Sequence, residues 1–415
     1  MDNKAIQKSD AKQLIAGFLV FLFPFLSLIL KSGVSIASFP FLLAALAWWR
    51  PARDAFVQAW PQVRWVVLAF GAWFLYNLAL FVLDGRELSD VENPLRMFAC
   101  FSAMLVVLAV RPSHRIFLAG VSAGAVAGAA YVAYQRLELG MDRPGGQLNP
   151  ITFGDLSLAL ALVAIAAATE LRSRRHAAVL VIGAVAGVAG SLLTGTRGGW
   201  VALAVAVCVF LRYSVLVRNR LVIALTSAAV LMLAGAYLVP ETGVRARIEE
   251  GLFDVREYRA GGEINTRVGT RLELWKAATI MIGERPWFGR QVDATRERIA
   301  TLAGEGRVDP AIVPLPHLQN DALQVMATTG VTGLLVWLTI LLAPLVFFAR
   351  QLRASYRSNR QRFALALAGL VVVTSYASFG LTEVIFWSVG GSLFYSLMIF
   401  LLMGFSLNSK DHDEI

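Results

Sequence analysis

Of the four histidines in the chain, His317 stands apart from His114, His176 and His412. It lies in Pro316-His317-Leu318-Gln319-Asn320-Asp321, where a long polar stretch runs back into an apolar one. An imidazole changes charge near neutral pH, so a histidine at such a border can serve as a general base towards a hydroxyl. Pro316 suits the first turn of a helix. A helix starting there would place the ring at the positive end of the helix dipole, which favours the neutral form. Asp321, one turn on, would be placed to orient the ring. The plainer reading is an interfacial histidine bonded to a carbonyl, and position alone leaves the two readings level.

Three arginines suggest what such a base would work beside. In Thr194-Gly195-Thr196-Arg197-Gly198-Gly199, the glycines around Arg197 leave backbone room for a ligand. In Thr266-Arg267-Val268-Gly269-Thr270-Arg271, Arg267 and Arg271 are spaced to share one helical face. Two guanidinium forks on one face suit a pyrophosphate, because arginine pairs with phosphate oxygens two bonds at a time. The plain alternatives are a snorkelling anchor for Arg197 and a solvated charged face for the pair, with Glu273 and Lys276 close by. For any one arginine the plain alternative is the stronger. Arg143-Pro144-Gly145-Gly146-Gln147-Leu148-Asn149-Pro150 is a turn-rich loop. Glu87-Leu88-Ser89-Asp90-Val91-Glu92 reads as a solvated acidic loop. There is no metal-ligand spacing, no phosphate-cradling glycine loop and no Ser-His-Asp signature, so neither a metal nor a cofactor is expected. Cys100 and Cys208 lie in apolar runs and read as packing residues.

The elements that must position these groups are membrane helices. The chain is 57% hydrophobic and 16% charged, with a mean hydropathy of +0.63. Apolar runs near the length of a bilayer span recur through it, and helices satisfy their own backbone there. Twelve runs stand out: 14–30, 34–49, 65–83, 95–110, 116–134, 151–169, 177–195, 198–211, 221–239, 322–348, 363–379 and 384–407. With a cytoplasmic N-terminus, the cytoplasmic segments hold 20 Lys/Arg and the opposite short loops six. That asymmetry fixes the orientation with both termini cytoplasmic. The net charge of +10 is therefore topology rather than a nucleic-acid surface. Residues 1–415 form one polytopic, all-α membrane domain, with a long extracytoplasmic loop, 241–318, between the ninth and tenth spans. Spacing at Val268, Leu272, Trp275 and Ile282 predicts a helix in that loop, stopped near Pro286. One or two helices lying against the membrane mouth are expected.

In this order the pieces resemble the O-antigen ligase and O-antigen polymerase superfamily of bacterial envelope glycosyltransferases. The likeness runs over the last two-thirds of the chain. It rests on the glycine-rich loop with Asn149, the Thr194–Gly199 motif, Arg271-Leu272-Glu273-Leu274-Trp275, Arg285-Pro286-Trp287-Phe288-Gly289, and the stretch from His317 through Asn320 and Leu323 to Gly330-Val331-Thr332-Gly333. The family pattern has Asn directly after the histidine; here Leu318 stands there.

The resemblance implies a metal-independent, C-type (GT-C) glycosyltransferase of the bacterial inner membrane, working at the periplasmic face. Its donor would be a glycan on undecaprenyl diphosphate. Arg197 and Arg271, with Arg267, would hold the diphosphate, and His317 would take the acceptor's proton during an inverting attack. Asn320, Asp321, Asn149 and Arg143 would support them. A single long loop and the end of the chain soon after the last span favour the ligase, which transfers O-antigen to lipid A-core. A polymerase extending undecaprenyl-linked repeats is the alternative, and a twelve-helix transporter a more distant one. Transporters place their polar groups and helix breaks near the bilayer midplane, whereas here the polar cluster lies at one mouth.

Overall fold

A computed structural model of the chain describes residues 3–170, 174–196, 198–217, 220–238, 244–260, 264, 266–356 and 358–409. Among these residues the fold is entirely helical. In chain order the helices are α1 (Asn3–Leu26), α2 (Gly33–Ala47), α3 (Trp49–Asp84), α4 (Leu88–Ala99), α5 (Phe101–Val110), α6 (His114–Leu137), α7 (Pro150–Ala167) and α8 (Arg174–Leu193). There follow α9 (Gly198–Val217), α10 (Arg220–Leu238), α11 (Val244–Arg259), α12 (Arg267–Glu284) and α13 (Val292–Gly304). After a 3-10 turn at Pro310–Ile312 come α14 (Asp321–Ser355), α15 (Arg360–Phe379) and α16 (Val389–Asn408).

Each of the twelve apolar runs falls on a helix. Among the described residues eight stretches are long and apolar enough to cross a membrane: α3, the α4–α5 run, α6, α7, α8, α14, α15 and α16. Shorter apolar helices lie at Gly33–Ala47, Gly198–Tyr213 and Val222–Met232. The chain is thus a multi-pass membrane protein. Within the spans, α7, α15 and α16 are 83%, 83% and 89% buried inside the protein, which makes them the centre of the bundle. Their faces meet in one apolar core rich in Ala, Leu and Phe. At 1.5 Å per residue, the 36 residues of α3 exceed a bilayer core of about 30 Å. Its first turns, with Arg50, Arg53 and Arg64, are polar.

Two boundaries differ from expectation. The fourth run begins at Leu88 rather than Leu95, so the acidic segment expected as a loop is the first turn of α4. The last helix begins at Val389 rather than Val384, because the Ser388 hydroxyl caps it by accepting from Gly391 N. This leaves 380–388 as a run of turns.

The 241–318 segment holds three helices and a 3-10 turn among its described residues, more than the one or two expected. It builds a second small core from Leu274, Ala277, Ala278 and Met281 of α12 and Ile299 and Leu302 of α13. Ile312, Leu318 and Ala327 complete this core, so it docks on the first turns of α14.

Candidate functional site

The site begins with a break in α14. Gly330 has φ 72° and ψ −175°, a conformation essentially reserved for glycine. The loop Pro286-Trp287-Phe288-Gly289 fills the gap that the break opens. Val331 N donates to Pro286 O (2.7 Å), and Arg290 N donates to Ala327 O (2.9 Å). A Cβ on Gly330 would lie 2.1 Å from Trp287 O, and one on Gly289 would lie 2.5 Å from the Thr328 carbonyl carbon. The two glycine elements singled out in the sequence therefore meet backbone to backbone. Arg86, buried at the end of α3, clamps the junction by donating to Thr328 O (2.7 Å) and Phe288 O (2.9 Å). Tyr76 donates to Thr329 O at 2.8 Å.

The segment before α14 carries His317. Leu318 is fully buried in the second core, and its N–H donates to Gln324 Oε1 (2.9 Å). Gln319 then takes a left-handed backbone, φ 55°, which is uncommon for a residue with a side chain. Asn320 caps α14: its Oδ1 accepts from Leu323 N (3.0 Å), and its Nδ2 donates to Leu381 O (3.1 Å). The helix thus starts at Asp321, and Pro316 is not in its first turn. Asparagine is a strong N-cap, and it sets the start several residues later than the proline signal suggested. Leu318 occupies a packing position, which accounts physically for an apolar residue beside the histidine.

The partner of His317 is Glu383, in the turns between α15 and α16. Glu383 Oε1 lies 3.6 Å from His317 Nε2, the distance of an ion pair rather than a close hydrogen bond. Nδ1 is buried and has no hydrogen-bond partner among the described residues. Burial pushes the imidazole pKa below its usual value; Glu383 acts against this, and the cations Arg271 and Arg296 add to it. The neutral ring is therefore the resting form, through burial and nearby cations and not through a helix dipole. Arg271 itself is largely desolvated, which lowers its pKa, while the Glu383 carboxylate opposes the shift. It stays cationic, since guanidinium is not deprotonated in proteins.

Asp321 does not orient the ring. Its Oδ1 accepts from Phe386 N (3.2 Å) and its N–H donates to Gly380 O (2.8 Å). These bonds stitch α14 to the turns that hold Glu383, so Asp321 positions Glu383 rather than His317. Asn149 accepts from Ile151 N (2.8 Å) as the N-cap of α7. Arg143 lies in the exposed loop before it. The backbone places Arg267 one helical turn before Arg271 on α12; its side chain lies outside the described residues, as does the whole of Arg197. The neighbours of Arg197 are placed. A Cβ on Gly198 would lie 2.6 Å from Thr382 Oγ1, and one on Gly199 would lie 3.5 Å from Asp155 Oδ1.

Two site residues were missed in the sequence. Glu383 is the only carboxylate between Asp321 and Asp411, a signal that was available. Asp155 is fully buried in α7 and is that helix's only charged residue. Both its oxygens lack hydrogen-bond partners among the described residues, and it lies within electrostatic reach of Glu383 and Asp321. An ionisable residue within a membrane helix is by default a functional candidate. Among the described residues no three His, Cys, Asp or Glu side chains are grouped as a metal site would need.

Residues 182–338 match the family model described as O-antigen ligase. A protein of Haemophilus influenzae (strain ATCC 51907 / DSM 11121 / KW20 / Rd), described as an uncharacterized protein, is 22% identical over 383 residues, which covers 91% of this chain and 94% of its own. Over that stretch the chain is similar to the O-antigen ligase family.

Proposed function

We propose that this protein is an O-antigen ligase that transfers a glycan from undecaprenyl diphosphate to a hydroxyl of lipid A-core at the periplasmic face of the inner membrane. The observation that carries the reading is one cluster at one mouth of the bundle: a neutral imidazole, His317, beside a carboxylate, Glu383, and within electrostatic reach of a desolvated guanidinium, Arg271. It is the set needed to move a proton from a hydroxyl while negative charge grows on a diphosphate.

In this reading twelve spans of the GT-C type hold the site, and the 241–318 loop faces the periplasm. Arg271, with Arg267 and Arg197, binds the diphosphate and stabilises the charge that develops as the bond from the anomeric carbon to the phosphate oxygen breaks. His317 takes the acceptor proton through whichever ring nitrogen is not turned to Glu383. The acceptor oxygen forms the new bond to the anomeric carbon from the opposite side, inverting it. Undecaprenyl diphosphate leaves with the electron pair. Glu383 then faces the imidazolium and stabilises it, the role of a carboxylate behind a catalytic histidine.

The test is reconstitution of the purified chain with undecaprenyl-diphosphate-linked glycan and lipid A-core in the presence of chelator. Glycan on lipid A-core is the expected product. Longer glycan still on undecaprenyl diphosphate would make the protein a polymerase, and no product from folded protein would defeat both readings.

A further inference from the structure

The end of the bundle away from His317 carries an apolar groove between α3 and α14. It has a volume of about 760 Å³, within the ~300–1,000 Å³ of small-ligand sites. On α14 its wall begins at Thr339, about 27 Å along the helix from Asp321 at 1.5 Å per residue. The two helices are pinned together at both ends of it. Towards His317, Tyr76 bonds Thr329 O and the Thr332 hydroxyl, and Arg86 bonds Thr328 O. At the far end, Gln351 Nε2 donates to Gln62 Oε1 at 3.2 Å. Residues 65–84 of α3 and 331–350 of α14 each run about 28 Å, close to the thickness of a bilayer core, about 30 Å. Gln62, Trp65, Arg350 and Gln351 therefore lie at one membrane border, and the Gly330 junction lies at the other.

Polarity divides the groove along its length. Its middle is made of Leu68, Ala69, Ala72, Leu342, Ala343 and Val346. Leu68 and Leu342 are 48% and 53% exposed, so this apolar surface is open to an occupant. Its end at the membrane border holds Gln62, Gln351, Arg350 and Arg362, and no carboxylate lines any part of it. Arg362 is engaged with the end of α16, where it donates to Ser406 O and to Ser409. Arg350 is exposed and makes no ion pair or hydrogen bond among the described residues. Arg64 adds a second cation at this level, 5.3 Å from the ring centre of Trp65, itself a wall residue. An apolar slot that ends in guanidinium groups with no facing carboxylate matches a molecule with a hydrocarbon chain and an anionic phosphate head. A free sugar would leave the slot unfilled, and a cation would meet only arginines.

We propose that this groove binds a glycerophospholipid with an anionic headgroup, drawn from the leaflet opposite the His317 mouth. An acyl chain lies along Ala69, Ala72 and Ala343, and the headgroup phosphate meets Arg350. The inference stands apart from the transferase reading. A lipid-linked diphosphate held near Arg271 has its head at the other mouth, so it would reach this groove tail first and offer Arg350 no charge. The bound lipid bridges the far ends of the same two helices that Arg86 and Tyr76 join at the Gly330 junction.

The test is native mass spectrometry of the full chain in detergent, titrated with phosphatidylglycerol or with phosphatidylcholine of the same acyl chains, with undecaprenyl diphosphate as the competitor. The expected result is a retained phosphatidylglycerol, preferred over phosphatidylcholine and not displaced by undecaprenyl diphosphate. Arg350→Gln should lower that preference about fivefold, as loss of one basic residue at an anionic lipid head does. Arg350→Lys, which keeps the charge, should retain most of it. Ala72→Phe, which puts a ring into the groove, should weaken both phospholipids alike. Circular dichroism should give all three variants the wild-type helical signal. Equal retention of the two phospholipids by the wild type would mean ordinary boundary lipid, with Arg350 a snorkelling anchor, and would overturn the site. Displacement by undecaprenyl diphosphate, or an unchanged preference in Arg350→Gln, would overturn it as well.

Discussion

Glu383 Oε1 lies 3.6 Å from His317 Nε2, across the gap between the segment that leads into α14 and the turns that follow α15. The opposing charges that act on the ring are Arg271 and, less strongly, Arg296. The imidazole is thus poised between an anion that raises its pKa and cations that lower it, with burial the larger effect. Two substitutions should move the acid limb of the pH–rate profile in opposite directions. Glu383→Gln removes the raising influence, so His317 stays neutral to lower pH and the limb shifts down. Arg271→Lys, which changes the geometry but keeps the charge, should leave the limb nearly in place, whereas Arg271→Ala should shift it up. Activity in Glu383→Gln should fall by roughly 10²–10⁴, the range for general base catalysis. A profile unchanged by Glu383→Gln would remove Glu383 from the proton path.

The donor side is tested by the rate itself. Arg271→Ala should lower glycan transfer by about 10²–10³-fold, as loss of an electrostatic donor to developing charge does. Arg271→Lys should recover only part of it, because an ammonium cannot reproduce a two-bond fork. Inhibition of the wild type by free undecaprenyl diphosphate should weaken in both variants. Equal inhibition in all three proteins would show that Arg271 does not meet the diphosphate.

His317 and the spacing of Arg267 and Arg271 were legible because type and position suffice: a lone imidazole at a polar–apolar border, and two guanidinium groups one turn apart. The helices were legible from apolar length alone. Glu383 was visible only as an isolated carboxylate; its pairing with His317 was not legible, because the packing of α14 against α15 brings the two together and no local pattern encodes that contact. Asp155 was hidden inside an apolar run that had been read only for its length. The acidic segment near Glu87 was read as solvated because its charges outweighed the helical spacing of Leu88, Val91 and Leu95. In the folded chain Val91 is buried while Glu87 and Glu92 stay exposed, so the charges are solvated as read but sit at the start of a helix rather than in a loop. The helix start was set at least five residues early, at Pro316 rather than Asp321, because proline was weighed over asparagine, and the cap geometry of Asn320 decides the matter.

The break in α14 should be sensitive to a single methyl group. Gly330→Ala places a Cβ 2.1 Å from Trp287 O and forces a backbone conformation that costs on the order of 1–3 kcal/mol. Thermal unfolding in detergent should show a lower midpoint, and transfer should fall because the loop that follows α12 loses its seat. Arg86→Leu should give a comparable loss, since it leaves the carbonyls of Thr328 and Phe288 without their donor, at about 1–3 kcal/mol. An unaltered midpoint in Gly330→Ala would mean that the break relaxes into a regular helix.

Leu318 offers the sharpest comparison between pattern and packing. The superfamily resemblance would place asparagine directly after the histidine, yet here the side chain is fully buried with Ile312, Ala277 and Ala327 in the small core of the 241–318 segment. Leu318→Asn therefore adds no function. It removes apolar contacts and buries an amide among carbons, a combination worth about 2–5 kcal/mol when a leucine side chain is cut back, plus the desolvation of the amide. The expected outcome is a lower unfolding midpoint and faster proteolysis between α12 and α14, together with a loss of transfer that cooling partly restores. Leu318→Met, close in volume and apolar, should retain nearly wild-type stability and rate. If Leu318→Asn instead kept the wild-type midpoint and raised the rate, the position would belong to the reacting site, and the packing account of it would fall.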